Sequence, residues 1–205
     1  MGYSTTASGY AATAMGNETI ASGGSSTAMG SFASTNGHAG AFVYGDVSVA
    51  SPADAVSATA PNQFVVRAQH MWFGTNNSVT ATSGRFLETS TGAYLSSGGV
   101  WTNVSDVNRK HLFEDVSGDD ILKRLAGLPI TEWSYKTEDD SVRHLGPTAQ
   151  DFYSAFHLGS SDTSIGTVDA DGVSLLAIQA LEKRTRELQS ENTQLRSRLD
   201  ALEAA

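Results

Sequence analysis

Thr13-Ala14-Met15-Gly16 returns fourteen residues later as Thr27-Ala28-Met29-Gly30, and a third, degenerate copy, Phe42-Val43-Tyr44-Gly45, arrives one residue late. Glycine keeps a shorter beat inside this unit: Gly2, Gly9, Gly16, Gly23, Gly30 and Gly37 stand seven apart. A seven-residue period usually signals a coiled coil. Here the recurring residue is glycine, which disfavours helix by about 1 kcal/mol per site. Small and β-branched residues between evenly spaced glycines predict short strands joined by tight turns, the pattern of a β-solenoid. Each coil offers only one or two small apolar residues (Ala14 and Met15, then Ala28 and Met29). Such coils must stack, with help from neighbouring chains, to bury enough surface. The competing reading is a disordered Gly/Ser-rich linker, but linkers do not hold register over six repeats.

The Ala-x-Gly and Thr-Ala-Met-Gly register resembles the head repeats of trimeric autotransporter adhesins, which also occur in phage tail fibres. The resemblance spans roughly residues 2–46 and implies a left-handed β-roll trimer. Met1 enters in mid-register, as expected of a piece of a longer fibre.

Charge divides the chain further. Among 205 residues, 13 are basic and 22 acidic, for a net charge of −9. Only six of the charged residues (Glu18, Asp46, Asp54, Arg67, Arg85, Glu88) lie in the first hundred residues, so two different architectures are expected. An acidic chain without a Lys/Arg block lacks the electrostatic footprint of a nucleic-acid binder. The absence of cysteine removes disulfide frameworks, thiolate zinc sites and thiol nucleophiles. No basic segment followed by an apolar one marks a secretory signal at the N-terminus. No apolar run approaches the roughly 18–20 residues that span a bilayer, so no membrane insertion is expected.

Residues 51–104 read as a connector of short strands. Pro52 and Pro61 break the chain; Asn62–Ala68 alternates in part and is β-branched, which predicts a strand. Trp72-Phe73 is expected to end in a turn through Gly74-Thr75-Asn76-Asn77, and Gly92–Leu95 to form a strand closed by Ser96–Gly99. Trp72, Phe73 and Trp101 serve either as a narrow core between strands or as an aromatic platform for carbohydrate.

Beyond Trp101, four motifs follow in order: Ser105-Asp106-Val107-Asn108-Arg109-Lys110; Arg143-His144-Leu145-Gly146-Pro147-Thr148-Ala149-Gln150-Asp151-Phe152; Thr167-Val168-Asp169-Ala170-Asp171-Gly172-Val173; and Ala177-Ile178-Gln179-Ala180-Leu181. Together they resemble the C-terminal intramolecular chaperone of phage tailspikes and tail fibres. This is the self-cleaving Ser/Lys peptidase family known from endosialidase tailspikes and from a membrane-bound, myelin-associated transcription factor. The resemblance implies Ser105 as nucleophile, Lys110 as its general base and the bond between Val104 and Ser105 as the one cut. A serine hydroxyl needs a base to take its proton, and an ammonium is no base, so Lys110 must lose its proton, which burial away from water favours. On an ideal helix the i, i+5 spacing sets the two side chains about 140° apart. The dyad is therefore expected in a bent segment or between subunits, once the fold is packed.

His144 matches the family's functional histidine; its alternative is a histidine hydrogen-bonded in a turn near Gly146-Pro147. Asp106 is expected to close an Asx-turn. Asp169-Ala170-Asp171-Gly172 is not a calcium loop, because aligning Gly172 with the invariant glycine puts Thr167 at the first ligand position and Ile178 at the twelfth. It reads as a turn with a helix cap. The five histidines lack metal-ligand spacing, so neither a metal nor a cofactor is expected.

From Val173 the pattern becomes helical. Leu181, Leu188, Leu195 and Leu202 recur every seven residues as d positions, and Ile178, Thr185, Asn192 and Leu199 occupy a. Glu191–Arg196 and Arg198–Glu203 are complementary g-to-e pairs. Heptads alone leave dimer and trimer open; the trimer comes from the resemblance.

The expected fold is mixed. All-β solenoid repeats (1–50) and a β-strand connector (51–104) precede an α+β chaperone and autopeptidase domain (105–177), and a coiled-coil helix (178–205) ends the chain. The expected function is a homotrimeric tail fibre or tailspike segment that meets a host-surface glycan or receptor through the fibre. It would be assembled in the bacterial cytoplasm and carried on the virion. The alternatives are a trimeric bacterial surface adhesin and a structural fibre module with an inactive peptidase.

Overall fold

The computed structural model describes residues 1–75 and 81–204. They divide into two compact units, Met1–Ser105 and Asp106–Ala205.

In the first unit the chain winds through nine short strands: β1 (Gly2–Tyr3), β2 (Thr6–Ala7), β3 (Thr13–Asn17), β4 (Ile20–Ala21), β5 (Thr27–Ser31), β6 (Ala33–Ser34), β7 (Phe42–Gly45), β8 (Val56–Ser57) and β9 (Phe64–Arg67). Odd and even strands stack into two separate sheets, β1-β3-β5-β7-β9 and β2-β4-β6-β8. Every pairing in both is parallel, which is a β-solenoid. The fourteen-residue repeat is its register: Thr13, Ala14, Met15 and Gly16 lie beside Thr27, Ala28, Met29 and Gly30. The late third copy also pairs in phase, with Thr27 beside Phe42 and Gly30 beside Gly45. Its extra residue is absorbed in the turn at Asn36 and Gly37, both left-handed (φ 49° and 77°), where the His38 N–H donates to Thr35 O at 2.8 Å.

Alanine fills the narrow space between the sheets. Ala14, Ala21, Ala28, Ala33, Ala41, Val43 and Ala58 form one buried cluster. Buried hydroxyls join them: Thr35 Oγ1 accepts the backbone N–H groups of Ser22 and Gly23, at 2.9 and 3.2 Å.

The sheet continues past residue 50, into the segment read from the sequence as connector. Strand β9 pairs with β7, and Arg67 occupies the position held by glycine in the strands before it. The Arg67 guanidinium donates to the carbonyls of Ser31, Asp46 and Asp54 at 2.9–3.0 Å and to the Asp46 carboxylate at 3.1 Å. A long cation thus occupies the exposed end of the glycine column and satisfies carbonyls there.

A four-stranded sheet of β10 (Met71–Phe73), β11 (Arg85–Thr89), β12 (Tyr94–Ser96) and β13 (Trp101–Thr102) follows. The turn expected at Asn76-Asn77 lies outside the described residues. Glu88 is the buried residue of this sheet, paired with Arg85 at 2.9 Å, and Arg85 in turn lies over the Tyr94 ring. The expected aromatic core is not formed among the described residues. Phe73 and Trp101 are exposed, and neither they nor Trp72 makes a ring contact among the described residues.

The second unit packs α1 (Gly118–Gly127), the hairpin β14 (Thr131–Trp133) and β15 (His144–Gly146), α2 (Ala149–Phe156) and α3 (Thr167–Glu203). Ser117 and Thr148 cap α1 and α2 through the N–H groups of Asp120 and Asp151. Ile121, Phe152, Phe156, Val173 and Ala177 make the core. Arg184 binds Asp119 at 2.9 Å and ties α1 to α3.

Helix α3 begins at Thr167, so Asp169–Gly172 is helix and not the expected turn. Asp169 lies in the first turn, where the helix dipole favours negative charge. Gly172 has open space beside it and costs only its propensity. The boundary read at 177/178 falls inside this one continuous helix. What changes there is the surroundings. Val173 and Ala177 are buried, whereas Ile178, Leu181, Leu188, Leu195, Leu199 and Leu202 are 51–76% exposed.

Candidate active site

The segment from Val104 to Lys110 is a bend and not an α-helix. Asp106 caps a short 3-10 turn, Val107–Arg109, by accepting the Asn108 backbone N–H at 2.9 Å, the Asx-turn expected of it. That N–H, and then the Asn108 side-chain amide, hold the Asp106 carboxyl below the usual carboxylate range. Arg109 N–H donates to Asp106 O and Lys110 N–H to Val107 O, each at 3.1 Å. Lys110 then leaves in extended conformation, at φ −118° and ψ 154°. The tight turn removes the helical phase that would hold residues 105 and 110 on different faces. Val104, Ser105 and Lys110 are all exposed on the isolated chain.

His144 sits elsewhere, on β15 opposite Trp133. Its Nε2 lies 3.0 Å from Glu138 Oε2. The imidazole stacks on the Trp133 indole (centroids 4.7 Å apart, planes at 30°) and meets the Tyr135 ring edge-on at 5.4 Å. His144 thus stands on a strand two residues before Gly146, and its imidazole bonds Glu138. The sequence reading missed Glu138, Trp133 and Tyr135. Trp133 and Tyr135 show as an alternating pair before the turn-rich Lys136–Asp140, a strand signal. Glu138 carries no local signal, because only hairpin pairing returns it to His144.

Among the described residues no group of three or more His, Cys, Asp or Glu could hold a metal ion, and no helix is long and apolar enough to cross a membrane.

Residues 105–157 match a peptidase family described as the chaperone of endosialidase. The match starts at Ser105 and takes in the 3-10 turn, α1, the hairpin and α2; residues 1–104 lie outside it. No curated protein and no solved structure matches the chain. Its second unit carries the 3-10 turn capped by Asp106, a small helical core and a histidine-bearing hairpin. Over residues 105–157 the chain is thus similar to the chaperone-of-endosialidase peptidase family, which supports a chaperone domain of the kind associated with tail fibres and tailspikes.

Proposed function

We propose that this chain is a tail fibre or tailspike segment whose second unit trimerises, sets the register of the solenoid and then cuts itself free between Val104 and Ser105. One observation carries the reading. The family match opens at Ser105, and the division between compact units falls at Ser105/Asp106, one residue past the proposed cut. A cut there would separate a finished β-structure from its assembly domain.

In the reaction, Lys110 Nζ takes the Ser105 Oγ proton and Oγ attacks the Val104 carbonyl carbon. The Val104 C–N bond breaks, and the Ser105 amine leaves carrying a proton from Lys110. Water then hydrolyses the Val104 ester, which yields a Val104 carboxylate and restores Oγ. The reaction runs once per chain. His144 assists the site.

Assembly follows from α3. A helix of about 55 Å whose a and d residues stay exposed needs partner helices to cover its seam. Joining three chains at this end raises the effective concentration of their solenoids. The solenoid is built from parallel pairings that form slowly on their own. The same assembly would bury Lys110, so cleavage reports completed folding. The homotrimer would be made in the host bacterium, carried on the virion tail and directed at a surface glycan or receptor.

Denaturing electrophoresis of freshly expressed protein tests this. The intact chain is expected to give two fragments of about half length, and Ser105→Ala and Lys110→Ala only the full-length band. Fragments that persist in either variant exclude the dyad. An uncut intact chain selects the structural fibre module.

A further inference from the structure

We propose that Glu138 is a positioning residue for His144: it fixes the imidazole as the Nε2–H tautomer and leaves Nδ1 as the atom that takes a proton during processing. This rests on the self-cleavage reading above. A carboxylate only accepts hydrogen bonds, so at 3.0 Å from Glu138 Oε2 the Nε2 position must carry the hydrogen. In the neutral ring Nδ1 then holds the lone pair. The ring cannot readily turn to exchange its nitrogens, because Trp133 covers one face and Tyr135 meets it edge-on. On the strands Glu132 and Arg143 face each other at 3.8 Å, and Lys136, Asp139 and Asp140 lie in the turn between them. Strands β14 and β15 pair with each other, so a single chain supplies every part of the clamp.

The chemistry matches a need of the proposed reaction. Lys110 must enter it as a neutral amine. If Nδ1 accepts the Lys110 ammonium proton in the assembled protein, Nζ becomes a base, and the imidazolium so formed is held by the Glu138 carboxylate. The proton returns through Nζ when the Ser105 amine leaves, and His144 ends neutral.

The test uses the full chain in two forms. In Ser105→Ala protein labelled with ¹⁵N-histidine, His144 is expected to show a protonated Nε2 and an unprotonated Nδ1. Glu138→Gln should mix the two tautomers, and Glu138→Asp should restore the single form. In the cleavable chain, Glu138→Gln should slow the half-length band by about 10²-fold, the low end of what a positioned acid–base group contributes, and Glu138→Asp should recover part of it. An unchanged cleavage rate in Glu138→Gln with α3 helicity intact, or a protonated Nδ1 in the Ser105→Ala chain, overturns the proposal. If the intact chain is never cut, the self-cleavage reading fails, and the tautomer spectrum still decides what Glu138 does.

Discussion

At the residue scale, the glycines of the repeat do not all serve one purpose. A Cβ on Gly16 would lie 1.9 Å from Gly30 O, and one on Gly2 would lie 1.8 Å from Gly16 O. These residues let one coil's backbone sit directly on the next. Gly9 and Gly23 form a second column on another side, with Cβ positions 2.1 Å from Gly23 O and His38 O. The sevenfold beat is thus two fourteenfold columns read in alternation. Gly37 keeps the beat but stands in neither column; it has open space and a φ of +77°. Gly16→Ala should therefore cost more than about 2 kcal/mol, since backbone must move. Gly37→Ala should cost only the left-handed strain of about 1 kcal/mol. Thermal unfolding of the two variants side by side checks the order.

At the scale of elements, Arg67 ends the solenoid sheet. Replacing it with alanine leaves the carbonyls of Ser31, Asp46 and Asp54 without their cation, at a cost of about 2 kcal/mol. The loss should show first as faster amide exchange in β7 and β9. Its partner Asp46 titrates below the ordinary 3.8, held down first by the Ser48 hydroxyl and also by the Ser48 N–H and Arg67 against the opposing effect of burial. A lowered folded value means that this carboxylate stabilises the fold fully above pH 3.8 and loses that contribution as the pH falls through the lowered value. Protection of β9 should accordingly fall below pH 3.8 in the intact chain, and this acid step should shrink in Arg67→Ala. On α3, the polar a residues Thr185 and Asn192 bond back to their own helix, at Leu181 O and Leu188 O. They interrupt the seam without breaking the helix. The seam's apolar strength lies in its leucines.

At the scale of the whole molecule, assembly and cleavage are expected to move together. Leu188→Ala with Leu195→Ala removes two exposed d residues that the folded chain does not use. Sedimentation should show the intact protein as a trimer and this variant largely dissociated. Because Lys110 is exposed on the single chain, the same variant should cut at least about tenfold more slowly although the proposed dyad of Ser105 and Lys110 is untouched. Full cleavage in a dissociated variant would mean that one chain can activate its own lysine. The uneven charge of the two halves fits this division: a nearly uncharged stack that lies outside the family match, and a charged half whose first part, residues 105–157, is the matched stretch.

Much of this was legible in the residues. The Thr-Ala-Met-Gly repeat determined the solenoid and its register, because a period is a local property and a parallel ladder pairs equivalent residues. The leucine heptads determined the long helix for the same reason. The motifs Ser105–Lys110 and Arg143–Phe152 pointed to the family whose model matches residues 105–157. Other features arise from residues that meet only after the chain has folded. Arg67 was unremarkable until the sheet put it in a glycine position. Asp169–Gly172 looked like a turn because its glycine is the stronger local signal, while the helix is held by Val173 and Ala177 packing on α1 and α2. Glu138 acquired a role only when a hairpin returned it to His144. Periodic order is written along the chain, whereas a contact between distant residues depends on which elements close the space between them, and that was decided by tertiary packing.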